Sequence, residues 1–316
     1  MPDPAERVPL GRTPLTVTRL GLGCAALGNL YDALDDTQAQ ATADAAWAAG
    51  LRLFDTAPLY GHGLSEHRIG AALRARPRGD YVLATKVGRT LVAGRDAGTI
   101  FAAAPALTPV FDFSYDAVLR GVEESLARLG VSRIDVLHVH DPDAHEAESI
   151  EGAFRALTKL REERVIGAIG AGMNQSAMLA RFVERGLVDC VLLAGRYTLL
   201  DQSALADLLP KAEAAGVAVI VGGVFNSGLL ADPQPGARYD YAPAPPARLA
   251  RARSLAAICE RHGVPLGAAA LQFSAAHPAV ASVLVGARSP AEVEQALRWF
   301  ALRIPPELWP ELRSVP

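Results

Sequence analysis

Leu51-Arg52-Leu53-Phe54-Asp55-Thr56-Ala57-Pro58-Leu59-Tyr60-Gly61 is the stretch from which the rest of the chain can be read. A short apolar run ends on an aspartate, a turn follows, and the turn presents a tyrosine. A strand end followed by a loop is where α/β proteins place their chemistry. Two later runs end in the same way: Tyr81 to Thr85 on Lys86, and Ile134 to Val139 on His140. An acid, a phenol, an amine and an imidazole thus stand at or just beyond three strand ends.

Outward from this centre the pattern repeats. Before it come a small hairpin over Arg7 to Thr18, the apolar strand Arg19 to Gly23, and an Ala-rich helix from Asp36 to Ala49. That helix is capped by Asp35 or Asp36 and stopped at Gly50. After it come a capped helix from Ser65 to Leu73 and the strand Tyr81 to Thr85. Then helix and strand alternate: Tyr115 to Leu129 with Ile134 to Val139, Ser149 to Glu162 with Val165 to Ile169, Gln175 to Arg185 with Cys190 to Leu193, and Gln202 to Ala214 with Val217 to Val221. Two helices, Arg248 to Arg261 and Leu266 to Ala276, lead to the strand Val280 to Val285, and a last helix begins at Pro290. Most strand-to-strand steps are roughly thirty residues, the size of a βαβ unit. Unbroken alternation implies one parallel sheet. Eight such units in 316 residues imply a single (β/α)8 barrel domain over residues 1–316. Two steps are long, Val87 to Phe113 after the third strand and the proline-rich Gly222 to Ala247 after the seventh. Without clear structure in the sequence, both read as functional lids or disordered segments overhanging the C-terminal mouth.

Composition excludes several classes. A formal net charge of −3 gives no global electrostatic case for nucleic acid or an anionic membrane surface. The cysteines Cys24, Cys190 and Cys259 lack metal-ligand spacing and read as reduced thiols, so no metal is expected. Met1 to Gly11 is polar and has no apolar signal core, and no apolar run reaches the ~18 residues of a membrane span. A cytoplasmic location follows as the expectation. Nothing in the sequence specifies an oligomeric state.

The four strand-end residues form a chemically coherent set. A free tyrosine, with a pKa near ~10, is a poor acid or base at neutral pH. A nearby lysine favours the phenolate, and an aspartate holds that lysine charged and in place. A neutral imidazole orients a carbonyl or hydroxyl oxygen. The set suits moving a proton on or off a substrate oxygen. The other half of such a redox step is hydride, which no side chain supplies, so a nicotinamide cofactor is implied.

Phe54 to Gly61 with Ser65-Glu66, Thr85-Lys86 and Leu137-His138-Val139-His140 resemble the aldo-keto reductase superfamily, and the resemblance runs from Leu20 to Pro290. It implies that Asp55, Tyr60, Lys86 and His140 are the catalytic tetrad, with Tyr60 as general acid or base. Val110 to Tyr115, Ile169 to Gln175, Leu193 to Leu200 and Phe225 to Leu230 are similar to the bacterial L-fucose / D-threo-aldose 1-dehydrogenase group, whose pattern a pyridoxal 4-dehydrogenase branch shares. The implied reaction is oxidation of the anomeric hydroxyl of an aldose to a lactone. Pyridoxal oxidation and reduction of another aldehyde or ketone are the alternatives at the same site. An alternative of another class is a cofactor-sensing regulatory subunit, as in potassium-channel β subunits.

The resemblance also implies a place for NAD or NADP. Asn174 would hold the carboxamide. Phe225, Asn226, Ser227, Gly228 and Leu229 would line the pyrophosphate. Gly286, Arg288, Ser289 and Gln295 would surround the adenosine. Two departures stand out. The tyrosine that many members stack on the nicotinamide is missing from Gly222-Gly223-Val224-Phe225. A Lys-Ser pair and an arginine that clamp the NADP phosphate are replaced by Gly286, Ala287 and Glu292. A carboxylate suits a free ribose hydroxyl, so NAD is expected to serve at least as well as NADP, with Arg288 a partial compensation.

Other signals have plainer readings. Gly170-Ala171-Gly172-Met173-Asn174-Gln175 approaches the Rossmann fingerprint, but Gln175 stands where its third glycine belongs. Gly21-x-Gly23 reads as a tight strand-to-loop turn. His138 shares parity with His140 and is expected inside the barrel as a packed, hydrogen-bonded histidine. His62 and His67 read as exposed loop residues, with substrate contact the alternative for His62. Trp299 and Trp309 either line the pocket mouth or pack the last helix.

Overall fold

In the computed structural model, which describes residues 2–315, eight parallel strands close into a barrel. They are β1 (Leu20–Gly23), β2 (Leu53–Asp55), β3 (Val82–Val87), β4 (Val136–His140), β5 (Ala168–Met173), β6 (Cys190–Ala194), β7 (Ala218–Gly222) and β8 (Val280–Gly286). Each pairs with the next in sequence, and β8 returns to β1 through Val283↔Leu20. The expected (β/α)8 architecture is therefore present. The N-terminal hairpin is present too, pairing Arg7–Pro9 with Thr16–Thr18.

Strand alternation sorts the side chains. Leu53, Ala84, Val136, Ala168, Leu192, Ile220 and Leu284 fill the barrel interior, and Leu10 and Val17 of the hairpin close its lower end. Residues of opposite parity, such as Leu83, Leu137 and Val139, pack outward into the main core beneath the helices. The same alternation places Lys86 above Ala84 on β3, and His138 and His140 above Val136 on β4. None of the described helices is long and apolar enough to cross a membrane.

The structure differs from the sequence reading in several places. β3 runs through Lys86 to Val87, so the lysine lies within the strand rather than after it. β5 begins at Ala168 instead of Val165: Arg164 is left-handed (φ 61) and Val165 is 40% exposed, so the first apolar residues belong to the turn. The Leu64–Leu73 helix has no side-chain cap. Ser65 turns inward, its hydroxyl donating to the Cys24 carbonyl at 2.7 Å and sitting 2.8 Å from Thr56 Oγ1. The stretch Ser149–Phe154 is π-helical before the α-helix Arg155–Glu162.

Neither long loop is structureless. After β3, Arg89–Ala93 and Leu107–Phe111 form an antiparallel hairpin. After β7, Arg238–Tyr239 and Ala242–Pro243 form a short ladder. Both hairpins are only partly buried and each carries a proline, Pro109 and Pro243, so neither has the clean apolar alternation that marks a strand in sequence. A terminal helix, Leu308–Arg313, follows the last helix expected from sequence.

Candidate active site

β2 and β3 are neighbours, with Asp55 opposite Ala84, which puts the Asp55 and Lys86 side chains together at the barrel mouth. Lys86 Nζ donates to Asp55 Oδ1 at 2.9 Å, to Oδ2 at 2.7 Å and to the Thr56 carbonyl at 2.8 Å. All three ammonium donors are thus matched with oxygens. Burial pushes the Asp55 carboxyl above its ordinary range, and the Lys86 charge pulls it back. Behind β3, buried Glu66 accepts from Thr85 Oγ1 at 2.7 Å and from Arg128 Nε at 2.6 Å, which fixes the strand.

Tyr60 reaches this pair from the turn after β2. That turn is pressed against the segment following β1: a Cβ on Gly61, whose φ is +62, would lie 2.4 Å from the Gly28 carbonyl oxygen. Only glycine permits that approach. The Tyr60 ring centre lies 4.8 Å from Lys86 Nζ and 6.0 Å from the His140 ring, which stands edge-on at 88°. The residue is half-buried and lines the cavity mouth. Burial first, then the Asp55 charge, pushes the phenol well above its ordinary value. The expected lowering by Lys86 does not prevail, because Asp55 already binds that ammonium. Burial, reinforced by the Lys86 and Arg89 charges, holds His140 well below the usual imidazole range and therefore neutral.

These residues border a cavity of about 670 Å³ that also meets Asn174, Phe225, Asn226, Ser227, Gly228, Gly286, Arg288 and Gln295. Leu229 and Ser289 do not line it. Leu229 is fully buried in a second core, and the Ser289 hydroxyl caps the Pro290–Ala301 helix by accepting from the Glu292 amide. Glu292 does border the cavity, and its Oε2 accepts from the Arg288 amide at 2.8 Å. The Arg288 guanidinium donates to the carbonyls of Leu30, Asp32 and Ala33, each at 3.1 Å. Trp299 lines the cavity, whereas Trp309 packs into the second core.

Two histidine expectations need correction. His62 is 2% exposed instead of exposed, because the insertion after β3 folds over it and places Thr99 Oγ1 3.1 Å from Nε2. His67 is exposed, as expected. His138 is fully buried inside the barrel, but neither ring nitrogen has a hydrogen-bond partner among the described residues. Its ring occupies space left by Gly170 on β5, where a Cβ would lie 2.2 Å from Nδ1.

The sequence reading missed three contributors. Asp141, next to His140, lines the cavity with left-handed backbone (φ 45), and Arg89 Nη2 donates to its Oδ2 at 2.8 Å. Its position directly after a strand end was a usable signal. Tyr31 and Tyr241 lie in loops and gave none. Tyr241 follows Asp240 at the tip of the post-β7 hairpin, with φ 48 at Asp240 and 66 at Tyr241. Such a turn ordinarily uses Gly or Asn. Arg196 grips Asp240 at 2.9 and 3.1 Å, and the Tyr241 amide donates to Ser227 Oγ at 3.0 Å. Tyr241 is 45% exposed overall, yet loss of water around its phenol, with the Asp141 charge nearby, pushes it up to about 12.

The chain is similar to several known proteins. The chain is 44% identical to a pyridoxal 4-dehydrogenase of Microbacterium luteolum, across 98% of this chain and 97% of the relative. It is 42% identical to a D-threo-aldose 1-dehydrogenase of a Pseudomonas species, across 94% of each. Among solved structures, an aldo-keto reductase from Bacillus halodurans superposes with a TM-score of 0.77 at 27% identity, covering 98% of this chain and 96% of that one. The family profile described as the aldo/keto reductase family matches residues 19–315, from the entrance of β1 to the end of the terminal helix. The chain is an NAD(P)-dependent oxidoreductase and belongs to the aldo/keto reductase family.

Proposed function

We propose that the chain oxidises the anomeric hydroxyl of an aldose to the lactone, with Tyr60 as the proton-transferring group. The observation that carries this is the Lys86 ammonium, bonded to both Asp55 oxygens and 4.8 Å from the Tyr60 ring, beside a neutral His140. In the oxidative direction Tyr60 takes the proton from the substrate hydroxyl. Lys86 stabilises the phenolate that accepts it. Asp55 fixes Lys86, and His140, as a neutral imidazole, orients the reacting oxygen. In the reverse direction the protonated phenol is the acid, and its raised pKa keeps it protonated at neutral pH.

The residues present fit a nicotinamide dinucleotide. A Cβ on Gly172 or Gly222 would meet nothing closer than 3.5 or 3.4 Å, so each glycine leaves room in the cavity floor for a ligand. Asn226 Oδ1 is buried without a partner among the described residues, and Asn174 and Ser227 border the same space. When bound, the dinucleotide exchanges hydride with the substrate carbon. Asn174 and the 225–228 turn would hold it, with Gly286, Arg288 and Gln295 around the adenosine. Glu292 lies at that end, and the Arg288 guanidinium is taken up by three carbonyls. A 2′-phosphate would meet a carboxylate with no free guanidinium opposite it. We read the site as accepting NAD at least as well as NADP.

The relative at 44% identity supports a second reading, pyridoxal oxidation at the same tetrad. Coenzyme reduction by purified protein with NAD⁺ and a panel of L-fucose, D-arabinose, L-galactose, D-galactose and pyridoxal tests both. Turnover on a sugar is expected; turnover on pyridoxal alone would move the substrate to the second reading. Sustained turnover of any of them also separates an enzyme from a cofactor-sensing subunit, which would stop near one turnover.

A further inference from the structure

We propose that Asp141 is a specificity residue, whose carboxylate accepts a hydrogen bond from a hydroxyl on the carbon next to the one oxidised. The inference rests on the aldose reading above and makes it more specific: the substrate is selected as an α-hydroxylated one.

The geometry supports this in four steps. Asp141 directly follows His140 at the end of β4 and borders the cavity. One carboxylate oxygen, Oδ2, is held by Arg89 Nη2 at 2.8 Å and lies 3.5 Å from His140 Nε2. The other oxygen, Oδ1, has no hydrogen-bond partner among the described residues, and the residue lines the cavity. An ionised carboxylate can only accept. The group it selects must therefore be a donor, close to whatever oxygen His140 orients. Neighbouring hydroxyls of a sugar lie about one hydrogen-bond length apart, roughly 2.8 Å. The Asp141 carboxylate, whose Oδ2 lies 3.5 Å from His140 Nε2, is close enough for adjacent hydroxyls to reach one group each. An anomeric hydroxyl at His140 puts the C2 hydroxyl at Asp141.

The strained backbone agrees with a functional demand at this position. A φ of 45 is uncommon for any residue but glycine, and asparagine and aspartate bear it best. A residue serving only to anchor the Arg89–Phe111 hairpin would not need to border the cavity beside the tetrad.

The test compares D-arabinose with 2-deoxy-D-ribose, which differ only by the C2 hydroxyl, as substrates of wild type and Asp141→Asn. Asparagine tolerates the left-handed backbone. Arg89 retains its amide oxygen, which turns the NH2 toward the cavity and places a donor where an acceptor stood. A hydrogen bond to a charged group corresponds to roughly ten- to hundredfold in kcat/KM. The wild type is expected to prefer D-arabinose by about that factor, and the variant to lower the ratio severalfold, because its amide can only donate to the same hydroxyl and the stronger bond to a charge is lost. A structural or electrostatic role through His140 would slow both sugars together and leave the ratio intact, which would overturn the assignment alone. Failure of the wild type to turn over any aldose would overturn the aldose reading and this assignment with it. Thermal melting and NAD⁺ affinity check that the variant is folded. Should Asp141→Asn not fold, Asp141→Ser is read by the same ratio.

Discussion

The Lys86 ammonium donates to both carboxylate oxygens of Asp55, at 2.9 and 2.7 Å, and the residues are 2% and 3% exposed. A buried pair of this kind is costly to break from one side, because the remaining charge loses its counter-ion in a poorly solvated place. Asp55→Asn is expected to destabilise the fold by about 3–5 kcal/mol, read by denaturant unfolding. Replacing both partners, as in Asp55→Leu with Lys86→Met, should recover much of that stability while leaving the protein inactive. A double variant no more stable than Asp55→Asn would argue against the charge-pair account.

The proton-transfer proposal carries a direction with pH. Burial raises the Tyr60 phenol well above its ordinary value, so at neutral pH the acid form prevails. Oxidation needs the base form, so its kcat/KM should climb with pH across the neutral and alkaline range. Reduction needs the acid form and should stay level until the phenol ionises. Opposite slopes, or an oxidative rate flat from neutral to alkaline pH, would remove Tyr60 as the base.

Stability has its own pH limb. His138 and His140 are both held well below the ordinary imidazole value by burial. The unfolded chain therefore takes up protons below about pH 6.5 that the folded chain does not. Folding stability falls as pH drops through that window, by about 1.4 kcal/mol per pH unit for each histidine until its folded pKa is reached. His138→Leu, which fills a similar space without a titrating ring, should shallow the acid limb by one histidine's share. An unchanged limb in chemical denaturation would show that His138 takes a proton in the folded state.

Coenzyme choice can be read at Glu292. Its side chain accepts from the Arg288 amide, and Glu292→Gln keeps that acceptor while removing the charge. For a charge at the cavity edge the effect is small, and NADP⁺ affinity should improve roughly two- to fivefold with NAD⁺ little changed. Equal changes for both coenzymes would dissociate Glu292 from the phosphate question.

Much of this was legible in the sequence because a charge that ends an apolar run is conspicuous. Asp55, Lys86 and His140 each do so, and the alternation of strands and helices closes the barrel around them. Spacing could not reveal what other elements do to a residue. Ser65 looks like a helix cap but is drawn inward by the Cys24 carbonyl. His138 loses its hydrogen bonds because Gly170, on the neighbouring strand, leaves room for the ring but offers no partner. His62 is buried by a hairpin whose strands carry little apolar alternation. The short ladder bearing Tyr241 was hidden by Pro243 and by a turn with tyrosine, at φ 66, where glycine normally follows the aspartate. Asp141 was within reach of the strand-end rule that found His140.

The central claim is that Tyr60 moves the proton of the reaction, and Tyr60→Phe tests it most directly. The ring and its packing against Phe101 and His140 are kept, and only the hydroxyl is lost. Turnover of L-fucose or D-arabinose with NAD⁺ should fall by roughly 10²–10⁴-fold, the usual worth of a positioned acid or base. NAD⁺ affinity, followed by quenching of protein fluorescence, should be nearly unchanged. Full turnover in the variant would contradict the account.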